Sequence, residues 1–141
     1  MSLSYLQRRR VRHQRWTYLL DDADCTAWIA RGRIGRRRRF RIPTSVILEG
    51  KEYKITSIEI GAFKNSHTLH HLIIPDSISY IDRDCFKFLP NLKTVYIGKD
   101  VEELTDEHFC GCHKLQHIYI SRLNKFLCDY DMRNIKPSPE L

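Results

Sequence analysis

The stretch ITSIEIGAFKNSHTLHHLIIPDS, residues 55 to 77, decides the fold because its apolar positions recur twice more along the chain. The copies are 23 residues apart and no gap interrupts them. Six positions stay apolar in all three copies, which chance does not produce when 42% of the residues are hydrophobic. These columns are Ile55, Ile58, Phe63, Leu69, Leu72 and Ile74, then Ile78, Ile81, Phe86, Leu92, Val95 and Ile97, then Val101, Leu104, Phe109, Leu115, Ile118 and Ile120.

The end of each copy alternates apolar and variable residues, as a short β-strand does. A period of 23 lies within the roughly 20 to 29 residues of leucine-rich repeats. Each coil of such a repeat adds one strand to a parallel ladder. The sequence therefore predicts a leucine-rich repeat solenoid, rich in β-structure, with short parallel strands stacked coil on coil and an N-terminal β-hairpin cap.

The segment GAFKNSHTLHHLIIPDSISYI (61–81) and its two successors resemble the BspA-type leucine-rich repeat. That family's pattern is Ala-Phe, a small or Cys residue three positions on, then Leu-x-x-Ile-x-Ile-Pro-x-x-Val-x-x-Ile. IPTSVILEGKEYKITSI (42–58) resembles the family's first coil, while Gly98 and Ser121 depart from the pattern at the position of Pro75. The resemblance implies a secreted or cell-surface adhesion protein that contacts host or matrix ligands.

The chain is expected to consist of a repeat array between two ends of different character. The predicted boundaries are a basic, disordered segment over 1–15, a capping hairpin with an Arg-rich loop over 16–41, coils over 42–122 (42–54 with an insertion, 55–77, 78–100, 101–122), and a partial coil and frayed tail over 123–141.

Both ends of a repeat array expose apolar columns and need covering residues. The turn-rich AspAspAlaAsp (21–24) separates two strand-like runs, which predicts a hairpin at the front. The candidate covering residues are Trp16, Tyr18, Leu20, Ala27 and Ile29 at the front, and Phe126 and Tyr130 at the back.

The outward positions of the predicted strands are the candidate binding residues, since the inward positions fill the core. They form two rows: His71, Thr94 and His117, and Ile73, Tyr96 and Tyr119. Tyrosine is enriched at interfaces because it offers a large contact area at little cost in entropy. The rows therefore predict a face that binds another protein or a surface ligand, although such a ladder can also serve only to stiffen the sheet.

The net charge of +7 lies in the N-terminal third, where residues 1–41 hold twelve arginines and three aspartates. Residues 42–141 carry a balance of −2. The run Arg36, Arg37, Arg38 and Arg39 predicts either binding of nucleic acid or anionic surfaces, or a solvated edge that prevents aggregation between strands. No aromatic platform or recognised nucleic-acid motif surrounds these arginines.

The sequence HFCGCHK (108–114) invites a metal site, but the repeat places Cys112 in the core and Cys110 on the surface. The histidines of HTLHH (67–71) flank a core leucine and are expected to point to different sides. No Gly-rich phosphate loop or nucleophile elbow is present, so we expect no enzyme, no metal and no cofactor.

The sequence does not indicate in which compartment the protein is found. The N-terminus lacks the apolar segment of a signal peptide, and no stretch has the length of a membrane span. Five cysteines at irregular spacing do not suggest a fully paired disulfide framework.

Overall fold

The computed structural model of the chain describes residues 7–32, 34–59, 62–63, 66–127 and 135–138. Within these ranges the fold is rich in strands, and the single helical element is a 3-10 turn over Asp106–Phe109. The strands are β1 (Arg9–His13), β2 (Trp16–Asp21), β3 (Thr26–Gly32), β4 (Arg39–Arg41), β5 (Ser45–Leu48), β6 (Lys51–Ile58), β7 (His71–Ile74), β8 (Tyr80–Ile81), β9 (Thr94–Ile97), β10 (His117–Ser121) and β11 (Ile135–Ser138).

The strands form two sheets with different connectivity. The mixed sheet has the order β1-β2-β3-β6-β5, and β8 also pairs with β6. The parallel sheet has the order β11-β10-β9-β7-β4. In the parallel sheet Ile74 pairs with Ile97 and Ile97 with Ile120, so neighbouring strands are offset by the 23 residues of the sequence repeat.

The repeat columns fill one hydrophobic core, as their periodicity predicts. All eighteen column residues are buried except Leu115, which is partly buried against the same core. A continuous series of aromatic ring contacts runs through this core from Trp16 through Phe40, Phe63 and Phe86 to Phe109, stacked except for the edge-to-face contact of Phe40 with Phe63. Successive ring centroids lie 5.5, 6.2, 5.4 and 5.8 Å apart. Burial of each ring contributes about 1.5 to 3 kcal/mol, so the stack is a major source of stability.

At the front, β2 and β3 pair in antiparallel fashion around residues 22–25. Of the five candidate covering residues of this segment, four are buried in the core, and Trp16 packs against it partly exposed. The parallel pairing of β3 with β6 joins this pair of strands to the first coil.

The prediction of disorder over 1–15 is wrong for residues 9–13, which form β1. This strand pairs with β2 along its whole length, and Val11 packs against the core. The Arg8 side chain is buried, with its guanidinium carbon 3.8 Å from the centre of the Trp28 ring, and it donates to the Leu19 carbonyl. Arg9 forms an ion pair with Asp22, 2.9 Å between Nη2 and Oδ1. Charge alone suggested solvation here, but a guanidinium with an aromatic ring and a carbonyl as partners can be buried.

The back of the array also differs from the prediction. Phe126 is 56% exposed and does not cover the last coil, and Tyr130 lies outside the described residues. Leu127 and Asn124 are buried instead. The expected frayed tail is corrected at residues 135–138, where β11 pairs in parallel with β10 and extends the sheet by one strand.

In the part of the chain that the structure describes, no helix has the length and apolar character that crossing a membrane would require.

Candidate functional site

The two predicted rows lie side by side on the parallel sheet. His71, Thr94 and His117 occupy one register, as the strand pairings show. Ile73, Tyr96 and Tyr119 occupy the register two residues further along. Between the rows the inward residues Leu72, Val95 and Ile118 are buried, because successive side chains of a strand point to opposite faces. We call the two rows together the outward face.

Five of the six predicted residues are partly accessible, and Thr94 is not. Thr94 is only 8% exposed, which leaves little of its side chain for direct contact with a ligand. Its short side chain stands between the larger imidazoles of His71 and His117 in the same row, and bulkier neighbours screen a short residue from solvent.

Tyr96 and Tyr119 form a stacked pair. Their ring centroids are 5.1 Å apart and the planes are inclined by 20°. This separation is close to the roughly 4.8 Å between neighbouring strands, so the stack follows directly from the register. The His117 ring lies 5.6 Å from Tyr119 at 31°. Each ring of the pair therefore has one face covered by the other ring.

Strand β4 extends both rows with arginine. Arg39 pairs with His71, and Arg41 pairs with Ile73. Both arginines are exposed, whereas Phe40 between them is buried. The sequence pattern placed Arg39 in a charged run separate from the rows, and Arg41 was not among the predicted site residues. The alternation of ArgPheArgIle (39–42), with Phe40 and Ile42 buried, was the available signal for a strand here.

The other predicted arginines do not lie in the rows. Arg36, Arg37 and Arg38 are exposed in the loop that leads into β4. The loop is held to the coil over 55–77 by Thr68, whose hydroxyl lies within hydrogen-bonding distance of both the Gly35 and Arg37 carbonyls. The structure thus divides the run of four arginines into one residue on the outward face and three beside it.

The outward face is electropositive. The charged residues of strands β4, β7, β9 and β10 are Arg39 and Arg41, and none of these strands contains Asp or Glu. Burial lowers the pKa of His71, and the positive fields of Arg39, His70 and Lys93 lower it further. These three basic neighbours disfavour the charged form of His71 and would favour an anionic group beside it.

A cluster of acidic residues lies elsewhere, next to β8 of the mixed sheet. Arg83 there forms ion pairs with Glu103 at 3.0 Å and Glu107 at 3.4 Å. A pocket of about 320 Å³ lies beside them, also lined by Tyr80 and Asp84. Because its arginine is already paired, this pocket does not complement an anion.

The residues of HFCGCHK are divided between core and surface. His108 is buried, with Nε2 2.9 Å from the Ile81 carbonyl oxygen and Nδ1 3.0 Å from the Thr105 backbone nitrogen. Cys112 is buried and its thiol donates to the Phe86 carbonyl at 3.1 Å, whereas Cys110 is exposed. Among the described residues, no three His, Cys, Asp or Glu side chains come together as metal ligands.

Comparison with known proteins identifies the repeat. The family described as "BspA type Leucine rich repeat region (6 copies)" matches residues 44–135. No curated protein matches the chain.

Three solved structures share the fold. A leucine-rich repeat protein from Bacteroides ovatus has a TM-score of 0.66 at 21% identity, over 78% of this chain and 31% of its own. A leucine rich cell surface protein from Faecalibacterium prausnitzii has a TM-score of 0.62 at 21% identity, over 92% of this chain and 43% of its own. A leucine-rich repeat protein from Bacteroides capillosus has a TM-score of 0.54 at 22% identity, over 79% of this chain and 98% of its own.

The chain spans less than half the length of the first two of these proteins. At these identities the likeness concerns the fold alone, and the family assignment rests on the repeat match, which covers more than half of the chain. Leucine-rich repeats generally serve as protein-interaction modules. The chain belongs to the BspA-type leucine-rich repeat family.

Proposed function

We propose that the chain is a non-catalytic interaction module that binds another protein, or a protein ligand on a cell or matrix surface, through the outward face. The observation that carries this proposal is the stacked Tyr96–Tyr119 pair. Two half-buried tyrosines held in one orientation offer contact area at a small further cost in entropy.

Ile73 strengthens the proposal because it adds an apolar side chain next to Tyr96 in the same row. Ile73 is also partly accessible, as are His71 and His117 in the neighbouring row. An apolar strip bordered by polar groups is the usual composition of a protein-binding surface.

A surface partner is part of the proposal for two reasons. The sequence pattern resembles a family of adhesion proteins, and one protein of similar fold is described as a cell surface protein. The ligand class proposed is accordingly a protein or a surface-bound protein ligand, and no cofactor is required for it.

A second candidate is binding of nucleic acid or anionic surfaces through Arg36, Arg37, Arg38 and Arg39. The observation that favours it is the exposure of all four side chains. Binding to phosphates releases counterions and weakens steeply with salt, whereas contacts with a tyrosine pair are far less sensitive to salt. A salt titration therefore separates the two candidates.

The test of the main proposal is selection from a displayed peptide library on the folded chain, with counter-selection on the double variant Tyr96→Ala, Tyr119→Ala. We expect the selected peptides to bind the double variant at least about ten-fold more weakly, which corresponds to ~1.4 kcal/mol. Fluorescence polarisation measures the affinities, and circular dichroism confirms that the variant is folded.

Tyr80→Ala is the matched control, since Tyr80 is a 49% exposed tyrosine on the other sheet. Its affinity for the peptides should equal that of the unmodified chain. Peptides that bind all three proteins equally well would show that the outward face is not the binding surface and that the tyrosine pair only stiffens the sheet.

A further inference from the structure

We propose that the occupant of the outward face is an acidic polypeptide segment, in which a carboxylate side chain stands two residues from an apolar one. This inference rests on the proposed function and specifies the chemistry of the partner. It joins two features that the sequence presented separately, the tyrosine rows and the arginine run.

The first step is charge complementarity. Arg39 and Arg41 add one cationic side chain to each row, because β4 pairs with β7. Both arginines are exposed. Neither appears in any ion pair among the described residues, whereas Arg9 and Arg83 do. Guanidinium groups without an acidic partner bind carboxylates by charge-assisted hydrogen bonds.

The second step is the absence of competing acids on the same strands. Residues 39–41, 71–74, 94–97 and 117–121 contain no Asp or Glu. Glu103 and Glu107 are engaged elsewhere, in ion pairs with Arg83. A carboxylate brought to the outward face meets Arg39, His71 or Lys93 and no like charge within these strands.

The third step uses the spacing of the rows. Arg39 and Arg41 are two residues apart on one strand, as are His71 and Ile73, which corresponds to roughly 6.6 Å. Alternate side chains of an extended peptide have the same spacing. A segment that runs along the strands can therefore place a carboxylate over the Arg39–His71 row and an apolar side chain over Ile73 and Tyr96.

The fourth step distinguishes a polypeptide from a nucleic acid. Single-stranded nucleic acids bind through bases that stack on free aromatic faces. Tyr96 and Tyr119 already stack on each other, and His117 lies against Tyr119. The stacking covers one face of each ring and leaves less aromatic surface for bases, whereas apolar side chains can also pack against ring edges.

The experiment measures binding of a fluorescein-labelled peptide made of Glu-Gly-Leu repeats, with the Gln-Gly-Leu peptide as its neutral counterpart. We expect the Glu peptide to bind at least about ten-fold more tightly than the Gln peptide. Arg39→Gln and Arg41→Gln should each weaken the Glu peptide by about ten-fold and leave the Gln peptide unchanged.

Arg36→Gln is the matched control, because it removes an exposed arginine from the adjoining loop without changing the outward face. The affinity of this variant for the Glu peptide should stay within about two-fold of that of the unmodified chain, because salt screens an exposed charge. A loss at Arg36 equal to that at Arg41 would overturn the inference, since it would reflect net charge alone. An oligothymidylate that competes with the Glu peptide and binds more tightly than it would also overturn the inference.

Failure of this inference can be told apart from failure of the proposed function. If library peptides depend on Tyr96 and Tyr119 but carry no excess of acids, and the Glu peptide binds no better than the Gln peptide, the inference is wrong and the proposed function stands. If no selected peptide depends on the tyrosine pair, the proposed function itself is wrong.

Discussion

The side-chain amide of Asn124 donates to the carbonyl of Val101, the residue 23 positions before it, at 3.1 Å. It also donates to the Gly98 carbonyl at 2.8 Å, and its oxygen accepts from the backbone nitrogens of Phe126 and Leu127. One buried side chain thus satisfies four backbone groups where the last described coil ends.

Asn124→Ala should lower the free energy of unfolding by at least about 2 kcal/mol, because buried carbonyls would lose their donor. Urea denaturation measures the change. Asn91→Ala is the control, since the Asn91 amide bonds the His67 carbonyl at the surface, and its cost should be below about 1 kcal/mol. Equal losses for the two variants would contradict a specific role for Asn124.

The phenylalanine stack predicts a second difference between neighbouring residues. Phe86 is fully buried between Phe63 and Phe109, so Phe86→Ala should cost about 3 to 5 kcal/mol. Phe88 is 68% exposed, and Phe88→Ala should cost less than about 1 kcal/mol. Thermal unfolding compares them, and an unchanged melting temperature for Phe86→Ala would mean that the ring does not support the core.

The two cysteines of HFCGCHK should differ in reactivity. The thiolate is the reactive form, and burial raises the pKa of the Cys112 thiol, which also donates to the Phe86 carbonyl. Cys110 is exposed. A maleimide should therefore label Cys110 well before Cys112, as followed by peptide mass spectrometry, with Cys110→Ser removing the fast phase. Labelling of both thiols at one rate would contradict the assignment of Cys112 to the core.

Glu59 predicts a pH dependence of stability. Its carboxylate is buried, and desolvation raises its pKa above the ordinary 4.5, with Asp82 adding to the shift, while the Ser57 hydroxyl and Arg8 oppose it. The folded state then binds the proton more tightly than the unfolded state. The contribution of Glu59 to stability is therefore greatest below pH 4.5 and is lost as the pH rises through the folded pKa.

Glu59→Gln keeps the shape of the side chain without its charge, so the variant should lose this component of the pH dependence. The measurement is the free energy of unfolding in urea at a series of pH values for both proteins. The difference between them should shift in favour of the variant as the pH rises. A difference that stays constant with pH would show that Glu59 ionises as readily in the folded as in the unfolded chain.

The repeat columns and the two outward rows could be predicted because both follow from one local regularity, the 23-residue spacing. The burial of residues whose environment depends on distant partners could not be predicted in this way. Arg8 is buried by Trp28, and no periodicity relates this pair. Asn124 stands one repeat after Val101, but the repeat does not indicate that its amide also reaches the Gly98 carbonyl. Gly98 departs from the repeat pattern for a similar reason, since a Cβ there would lie 2.6 Å from the Pro75 backbone.

The position of the arginines also could not be predicted from the sequence pattern. A run of four identical charges gives no alternation, so the sequence did not indicate that the strand begins at Arg39 rather than at Arg36. Only the pairing of β4 with β7 places Arg39 and Arg41 in the rows.

Because strands β7, β9 and β10 of the parallel sheet are one repeat apart, the number of coils sets the distance between residues on the outward face. Arg41 and Tyr96 are separated by a single strand, β7, because one coil intervenes between their strands. Duplicating residues 55–77 within the chain would preserve every core column and move the arginines one further strand, about 4.8 Å, from the tyrosines. Gain or loss of a coil during evolution would thus change the distance between the arginines of β4 and the tyrosine pair by one strand spacing at a time. The arginines and tyrosines themselves would stay unchanged.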